Sequence, residues 1–529
     1  MKLLSGKTNL VFTSLTVFVV FISFVYFQSF KMRAVTDIGS TAVEAEQKME
    51  LNWFVSSPSG TYLPDPEEDF VRQTIEKRFD VQLNMIYMEP GEAYDAKLAA
   101  FHASNDPPDM WLHMGEDGAA HYALHNVLAD MKYYVNEDMM PNYFKYWMSE
   151  AELKSYQFHN QFVRAPVPYD KNSYRSYYIR QDWLDRLNLD IPTTYEEYIQ
   201  VLRAFTYEDP DGNEKADTYG FTTAGYGTSI SLEWPEYFKN GLVYPYKLEG
   251  KQFIDMQTDP RIEQVIQDIL FVLQERLVDP DWFLNDDKQK WNNAIRGRAG
   301  IVLGDTKDFA FESNPDSIQA RSKAYDPSAR WVPFHPFGDQ PIRSVVIPDV
   351  PFVFSVNAGA EQLKKSAEIL DWLAGEEGFL LTHYGREQVH YIRQGKAIER
   401  IPSALSDIEQ KGDFLKIWSF FTPDTPEVFG LHVIDPRVTE TDRSIFEQII
   451  SMPVDEGIGT ILTPPLGVDV QSFRHRQQEL QIKLLLEEKS GKQWPQYREM
   501  LLNDTKGGII LAHYEDQVQK ALQRMKRLP

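Results

Sequence analysis

The sequence LNWFV, residues 51–55, begins the stretch that decides the fold. This apolar run is typical of a buried strand, and residues 67–78 behind it carry apolar side chains at helical spacing. Residues 81–87 alternate as a second strand, residues 91–103 predict another helix, and residues 109–112 predict a short third strand. Such alternation predicts an α/β fold with a mostly parallel sheet and helices on both faces. Ligands of these sheets bind at the carboxyl ends of the strands.

The rest of the chain continues with the same two periodicities. Thr194 followed by Glu197 is a capping box, which predicts that a helix begins at this point. Residues 299–303 and 350–356 have the apolar character of further strands. The helical pattern recurs at 180–189, 194–205, 260–276, 362–374, 378–385, 471–488 and 512–526.

Composition excludes several classes of function. The chain has 529 residues, enough for two or three domains. It has 54 Lys and Arg against 78 Asp and Glu, a net charge of −24, which argues against nucleic acid as a partner. There is no cysteine, so disulfides, thiolate metal sites and cysteine nucleophiles are excluded. The 70 aromatic residues supply the ring faces on which sugars stack, although a large core also uses such residues.

Residues 10–30, LVFTSLTVFVVFISFVYFQSF, carry no charge. As a helix this stretch would be about 31 Å long, which matches the hydrocarbon core of a membrane. We therefore expect residues 1–33 to be a signal anchor, with a cleaved signal peptide as the alternative. Residues 34–50 are small and polar and are expected to form a tether. The body would then lie on the outer face of the membrane, or be secreted if the segment is cleaved.

Five segments, in order, resemble the extracellular solute-binding proteins of carbohydrate ABC transporters. The similarity is greatest to the large lipoprotein branch of Gram-positive bacteria, near the alginate- and oligosaccharide-binding proteins. The branch usually carries a lipid-linked cysteine, which this chain lacks, so the apolar segment would have to provide the anchor. The segments are KLAAFHASNDPPDMW (97–111), YYIRQDWLDRLNLDIPTTYEEYIQVLRAF (177–205), DPDGNEKADTYGF (209–221), AIRGRAGIVLGD (294–305) and EILDWLAGEEGFLLTHYGREQVHY (368–391).

The resemblance implies an α/β, two-lobe periplasmic-binding-protein-like fold with a hinge. The apolar stretch at residues 10–30 would precede this fold as an N-terminal transmembrane helix or signal segment. The ligand would lie in the cleft, and the lobes would close around it. Residues 51–175 plus about 325–375 are assigned to lobe one. Residues 176–324 plus about 376–529 are assigned to lobe two.

The loop at residues 209–217 has the spacing of a calcium loop. Oxygen ligands stand at its first, third, fifth and ninth positions, and a backbone carbonyl is available at the seventh. In the resembled family this loop binds a structural Ca²⁺, with an acidic residue often following where this chain has Thr218. A turn without metal is the alternative. The predicted ligands are Asp209, Asp211, Asn213, Lys215 through its carbonyl, and Asp217.

Candidate sugar contacts are placed at strand ends, where aromatic faces and polar groups would meet a ligand. Trp111 either packs in the core or touches the ligand, whereas Trp234 lies in a polar loop that favours ligand contact. Helical patterns assign Trp183, Trp282 and Trp372 to the core. The predicted ligand-binding residues are Ser56, Ser57, Trp111, Met114, Glu233, Trp234 and Asp305.

The function expected from these observations is that of a monomeric receptor that delivers a sugar or oligosaccharide to the permease subunits of an ABC importer. The G-x-S-x-G, H-E-x-x-H and P-loop signatures are absent, so we do not expect an enzyme. Two alternatives remain. One is a membrane-tethered carbohydrate sensor that signals through a partner kinase, and the other is a glycan-active enzyme.

Overall fold

The computed structural model describes residues 48–56, 61–114, 119–157, 161–335, 337, 340–346 and 350–525. The predicted signal segment, all of the tether before Lys48 and the candidate ligand residue Ser57 lie outside these ranges. Within the described ranges, no helix combines the length and the apolar character needed to cross a membrane.

The strands follow the predicted positions closely. Predicted strands 81–87, 299–303 and 350–356 correspond to the second, eighth and eleventh strands of the structure. The strands are β1 (Met49–Val55), β2 (Val81–Tyr87), β3 (Met110–Leu112), β4 (Ser176–Arg180), β5 (Tyr219–Phe221), β6 (Tyr246–Glu249), β7 (Gln252–Asp255), β8 (Ala299–Gly304), β9 (Trp331–Phe334), β10 (Arg343–Ser344), β11 (Phe352–Phe354), β12 (Tyr391–Gln394), β13 (Ala397–Arg400), β14 (His432–Ile434) and β15 (Val454–Asp455).

Helices surround these strands, and the predicted capping box is present, because the Thr194 hydroxyl and the Glu197 carboxylate each accept the other's backbone N–H. The helices are α1 (Phe70–Phe79), α2 (Glu92–Ala103), α3 (Ala120–Leu124), α4 (Pro141–Tyr146), α5 (Glu150–Ser155), α6 (Gln181–Leu187), α7 (Tyr195–Tyr207), α8 (Pro235–Lys239), α9 (Ile262–Gln274), α10 (Asp287–Ile295), α11 (Ile318–Lys323), α12 (Ala360–Leu373), α13 (Glu376–Tyr384), α14 (Pro402–Gln410), α15 (Leu415–Trp418), α16 (Glu440–Ser451), α17 (Val470–Ile482), α18 (Trp494–Asp504) and α19 (Gly507–Met525).

The first sheet has the strand order β11-β3-β1-β2. β1 and β3 are parallel, with Trp53 opposite Met110, and the late strand β11 is antiparallel to β3, with Phe352 opposite Leu112. The carboxyl ends of β1 and β3 therefore lie at one edge, together with the start of β11. The apolar run at 51–55 predicted a buried strand at this position. The structure confirms it, because the side chains from Trp53 to Val55 are all buried.

The second sheet has the order β5-β8-β4-β9. β5 is parallel to β8, but β4 is antiparallel to both β8 and β9. The expectation of a mostly parallel sheet is therefore wrong here. An alternating pattern of strands and helices does not determine strand direction when a long connection separates the paired strands. More than 100 residues separate β4 from β8.

Residues 376–434 pack against the first sheet and its helices. The Trp418 indole N–H donates to Asp69 Oδ2 at 2.9 Å, and Asp69 caps the N-terminus of α1. Phe421 stacks on Phe352 of β11, with ring centroids 5.1 Å apart. The lobe boundaries stay a prediction, and these contacts favour assigning residues 376–434 to lobe one. Residues 331–334 pair in the second sheet, which favours assigning them to lobe two.

Close packing in the second sheet requires a glycine at position 300 in β8. A Cβ built on Gly300 would lie 2.2 Å from Phe205 Cδ2 and 2.8 Å from Trp183 Cε3. Both rings are fully buried, and they meet edge to face at 5.1 Å. The helices α6 and α7 therefore approach the sheet as closely as a strand without a side chain allows.

We expect Gly300→Ala to lower the free energy of unfolding by about 1–3 kcal/mol, because the added methyl group overpacks the contact with Phe205. Urea unfolding followed by circular dichroism measures this loss. Gly359→Ala is the control, because the new Cβ would meet only the flexible end of Gln362. The control should lower stability by less, about 0.5–1 kcal/mol, because Gly359 is the N-cap of α12 and alanine is poorer than glycine at that position. Equal effects of the two substitutions would contradict the packing argument.

Candidate functional site

A cavity of about 340 Å³ lies at the carboxyl edge of the first sheet. Phe352, at the start of β11, forms part of its wall. Segments before β4 and after α15 supply most of the remaining wall. The aromatic lining residues are Tyr143, Tyr156, Tyr169, Phe352 and Phe420, and the polar ones are Gln157, Arg164, Asp170, Ser419 and Thr422.

Two tyrosines and a phenylalanine give the cavity its accessible ring surface. The rings of Tyr156 and Tyr169 are perpendicular, with centroids 6.2 Å apart, and the Tyr169 hydroxyl donates to that of Tyr156 at 3.3 Å. Burial and this hydrogen bond raise the pKa of Tyr169 well above its usual value, so the phenol stays neutral. Phe420 is 41% exposed. Ring faces of this kind pack against the C–H faces of sugars or other apolar surfaces.

The polar groups of the cavity are held in place by other protein groups. Arg164 is buried, and its guanidinium donates to the Tyr156 carbonyl at 2.5 Å. Gln157 Oε1 accepts the backbone N–H of Arg164 at 3.0 Å. Asp170 accepts hydrogen bonds at 2.8 Å from the Tyr174 hydroxyl and from the backbone N–H of Asn172. These polar side chains therefore have fixed orientations, which favours recognition of a defined ligand.

A polar cluster lies beyond the carboxyl end of β5 in the second sheet. The Lys290 ammonium pairs with Glu233 and with Asp287, the latter at 2.8 Å. Tyr226, which is 54% exposed, donates its hydroxyl to Asp287 Oδ2 at 2.6 Å. Burial lowers the pKa of Lys290, but Glu233 and Asp287 outweigh it and raise the pKa above its usual value. The cluster thus combines a buried, charged lysine with an exposed aromatic ring.

The predicted ligand residues occupy different environments. Glu233 belongs to the polar cluster, Asp305 is exposed directly after β8, and Met114 is partly buried after β3. Trp234 is fully buried, and its ring meets that of Trp282 edge to face at 5.1 Å.

Two further predicted residues lie at the first sheet. Trp111 is fully buried and packs edge to face against His102 at 5.1 Å, so its burial favours the core-packing alternative. Ser56 is buried at the end of β1, and within the described ranges its hydroxyl has no hydrogen-bond partner.

The structure does not bring the predicted residues together at the cavity. Its wall comes instead from Val346 and from residues within 143–157, 164–170, 350–352 and 419–423. The dense aromatic content of YQFHNQFVRAPVPY at 156–169 and of WSFF at 418–421 was the available signal. That signal is weak for two reasons. These segments have no regular helix or strand periodicity, and the candidate ligand residues were sought only at the ends of predicted strands.

The predicted calcium loop gathers carboxylates around Asn213. The Asn213 amide Nδ2 donates to Asp211 Oδ2 at 2.8 Å and to Asp217 Oδ1 at 3.2 Å. The carboxylate of Asp209 accepts the backbone N–H groups of Asn213 and Glu214, both at 3.0 Å. The carboxylates of Asp209, Asp211 and Asp217 thus each accept a hydrogen bond from an N–H group of Asn213.

Electrostatics in this loop favour a cation. Burial and the neighbouring Asp209 carboxylate raise the pKa of Asp211. Burial also acts to raise the pKa of Asp209, but hydrogen bonds such as that from the Glu214 N–H hold it below its usual value. Across the described part of the chain, however, no three His, Cys, Asp or Glu side chains are grouped at the spacing of metal ligands. The loop therefore has the donor chemistry for a hard cation, with its carboxylates bonded to amides here.

Comparison with known proteins bears on the fold. No protein-family model matches the chain. The polygalacturonan/rhamnogalacturonan-binding protein YtcQ of Bacillus subtilis is 24% identical over 389 residues, 68% of this chain and 71% of YtcQ. The fructooligosaccharide ABC transporter substrate-binding protein FusA of Streptococcus pneumoniae is 29% identical over 183 residues, 32% of this chain and 33% of FusA.

Solved structures agree with these relatives. A human-milk-oligosaccharide-binding, ABC-transporter-associated solute-binding protein from Bifidobacterium longum infantis superposes with a TM-score of 0.67 at 15% identity, covering 89% of this chain and 98% of that protein. An EF-hand mutant of FusA in complex with fructo-nystose gives 0.65 at 14% identity, covering 90% and 99%.

The chain therefore has the fold of the solute-binding proteins of ABC transporters. The resemblance drawn from its sequence to the carbohydrate-binding proteins of this kind is confirmed.

Glu236 of α8 follows the loop that holds Glu233, and it is fully buried. Its Oε1 accepts the Tyr195 hydroxyl at 3.1 Å, and burial raises the pKa of the carboxyl from 4.5 to about 7. The folded protein therefore holds this proton more tightly than the unfolded chain. The contribution to stability is largest below about pH 4.5 and is lost as the pH rises to about 7.

We expect Glu236→Gln to stabilise the protein above pH 7, by about 3 kcal/mol at most, because the amide copies the protonated acid without a charge. Below about pH 4.5 the two proteins should be equally stable. Thermal unfolding between pH 4 and pH 8 provides the measurement. The substitution Glu263→Gln, on the first turn of α9, is the control. A stability difference between Glu236→Gln and the native protein that did not vary with pH would contradict the assignment.

Proposed function

We propose that the chain binds a sugar or oligosaccharide outside the cell and delivers it to the permease of an ABC importer. The observation that carries this proposal is the aromatic-walled cavity at the carboxyl edge of the first sheet. Its volume of about 340 Å³ lies at the lower end of the range for small-molecule sites, so it suits one or two sugar rings. A longer ligand would extend from the cavity toward solvent.

The chemistry of the wall supports a carbohydrate. Tyr156, Tyr169 and Phe420 offer ring faces for stacking, while Gln157 and Asp170 offer hydrogen-bonding groups in fixed directions. Neutral phenols can both donate to and accept from sugar hydroxyls. A purely apolar ligand would displace water from the partly exposed Gln157 and Asp170 without offering them hydrogen bonds, which costs free energy.

The relatives support a carbohydrate ligand but do not identify the particular sugar. Their names refer to polygalacturonan and rhamnogalacturonan, to fructooligosaccharide and to human milk oligosaccharides. These sugars differ in ring, linkage and charge, so similarity transfers only the class. Since these relatives are binding proteins, the same comparison supports a binding role over an enzymatic one.

Delivery requires a partner and a location. We infer that permease subunits in the membrane receive the closed, loaded protein, which acts as a monomer on the outer face of the membrane. The apolar stretch at residues 10–30 would hold it there, or would release it after cleavage.

We expect at least one sugar from a panel of kestose, galacturonan fragments and milk oligosaccharides to raise the melting temperature of the protein. Tyr169→Ala and Phe420→Ala should each weaken binding roughly tenfold, because each removes a stacking face. Isothermal titration calorimetry measures the affinity. Tyr133→Ala is the control, because Tyr133 is 74% exposed and does not line the cavity. Unchanged affinity in both cavity variants would contradict the site, and steady hydrolysis of the sugar would favour an enzyme.

We further propose that the loop at 209–217 holds a structural Ca²⁺ through the side chains of Asp209, Asp211, Asn213 and Asp217 and the carbonyl of Lys215. The convergence of the Asp211 and Asp217 carboxylates on one amide supports this assignment. Rotation of the Asn213 amide by half a turn would place its oxygen, instead of its nitrogen, beside the Asp211 and Asp217 carboxylates. The name of one structural neighbour, an EF-hand mutant of FusA, refers to a calcium-binding loop, which supports this assignment.

Calcium should raise the melting temperature, because a ligand that binds only the folded state stabilises it by about 2.7 kcal/mol at a hundredfold excess over Kd. Asp211→Asn should abolish the response to calcium without destabilising the calcium-free protein, because it removes repulsion from Asp209. Asp316→Asn, an exposed change outside the loop, should leave the response intact. Differential scanning fluorimetry with EGTA or calcium distinguishes these outcomes, and an unchanged response in Asp211→Asn would contradict the proposed ligand set.

A further inference from the structure

An ion pair joins segments that belong to the two different sheets. The Lys307 ammonium contacts Asp424 Oδ2. Lys307 lies three residues beyond β8 of the second sheet, whereas Asp424 lies three residues beyond Phe421, whose ring stacks on Phe352 of the first sheet. The two side chains are 38% and 44% exposed, so water reaches the pair. The contact therefore links the two sheets through side chains that are separated by 117 positions in sequence.

Both ends of this ion pair are held by their own side of the molecule. The Tyr384 hydroxyl donates to Asp424 Oδ1 at 2.6 Å, and Tyr384 is buried in α13. Near Lys307, the Phe309 ring packs on that of Tyr178 in β4, with centroids 4.8 Å apart. Because each partner is fixed to a different sheet, relative movement of the sheets would have to break the pair.

The ion pair stands beside the cavity. Thr422 and Pro423, directly before Asp424, line the cavity wall. Asp170 lines it from the segment before β4, and its carboxylate also acts electrostatically on Lys307. The ammonium thus pairs with Asp424, next to the cavity wall, and is also attracted by the Asp170 carboxylate of that wall.

Further charges on the same two segments attract each other. Lys416 in α15 is influenced by Asp308 and Asp316 on the loop after β8, in addition to its pair with Asp413 at 2.8 Å. The loop of the second sheet is therefore mainly acidic where it faces Lys416. Opposite charges therefore meet between these two segments at two points. Lys307 meets Asp424, and Lys416 is attracted by Asp308 and Asp316.

We propose that the Lys307–Asp424 ion pair is a clasp that holds the loop after β8 against the segment that follows α15, directly beside the cavity wall, and keeps the two sheets together without ligand. Lys307 is a positioning residue in this arrangement, because it acts through the loop rather than through contact with a bound molecule. Loss of the ion pair opens the molecule and shortens the time that a ligand stays bound. The clasp does not depend on which ligand the cavity takes.

The test uses two spin labels on the full chain, which has no cysteine of its own. Tyr133→Cys and Leu284→Cys place the labels at positions 74% and 70% exposed, one beside each sheet. Double electron–electron resonance on ligand-free protein should give one dominant distance. Lys307→Met and Asp424→Asn should each shift the distribution to a longer mean distance, whereas Lys307→Arg, which keeps the charge, should not.

Lys323→Met is the matched control. Lys323 pairs with Glu312 on the same side of the molecule, with side chains 42% and 32% exposed, so its loss removes a similar ion pair that crosses no boundary. The control should keep the original distance. Far-ultraviolet circular dichroism confirms that each variant is folded. An unchanged distance in Lys307→Met and in Asp424→Asn overturns the clasp, as does an equal shift in Lys323→Met.

A second measurement follows ligand release by stopped flow, with kestose or another sugar that the native protein binds. Dissociation should be roughly twofold to fivefold faster in Lys307→Met, the range expected for loss of a solvent-exposed ion pair, with little change in association. If no sugar binds, the proposed carbohydrate ligand fails while the ligand-free distances still decide the clasp. If sugars bind and both variants release them at the native rate, the clasp does not retain ligand and this part of the proposal is overturned.

Discussion

The Arg343 guanidinium connects the segments on which the rest of the structure depends. It is buried, and it donates to the Ser173 carbonyl at 2.6 Å and to the Ile450 carbonyl at 2.8 Å. A buried cation costs free energy unless such acceptors satisfy it, so these carbonyls are held around it. Nearby, the Val346 N–H donates to the Lys171 carbonyl at 3.1 Å. Two of the stretches of chain that pass between the sheets are thus bound side by side.

This pairing determines where a ligand can lie. The Ala165 N–H donates to the Phe352 carbonyl at 2.7 Å, so these two connecting stretches leave the first sheet at the same edge. That edge holds the cavity, and the loop after β8 reaches Asp424, next to the cavity wall, through Lys307. If the two sheets move apart, the paired stretches would act as the hinge. Contacts away from the hinge, such as the Lys307–Asp424 ion pair, would break first. The site and the clasp therefore follow from one arrangement of the backbone.

Sequence predicted the parts of the fold that depend on local periodicity. Trp183 and Trp372 were assigned to the core from helical spacing, and both are buried. Strand direction in the second sheet and the cavity wall were not predicted, because both depend on pairings between distant segments. Trp234 shows the same difficulty. Its polar neighbours favoured ligand contact, but its ring enters a core that includes Trp282, and sequence alone does not reveal that direction.

The strength of the clasp suits a protein that must release what it binds. A half-exposed ion pair is worth roughly 0.2–1 kcal/mol, a factor of about five at most in an equilibrium constant. A continuous apolar seal would be far stronger, since each buried methylene contributes about 0.8 kcal/mol. Closure held by Lys307 and Asp424 therefore stays within reach of the free energy that a partner or ligand supplies. Recognition and retention of the ligand would therefore depend on different residues. The aromatic rings of the cavity wall would contact the ligand, whereas Lys307 and Asp424 contact each other.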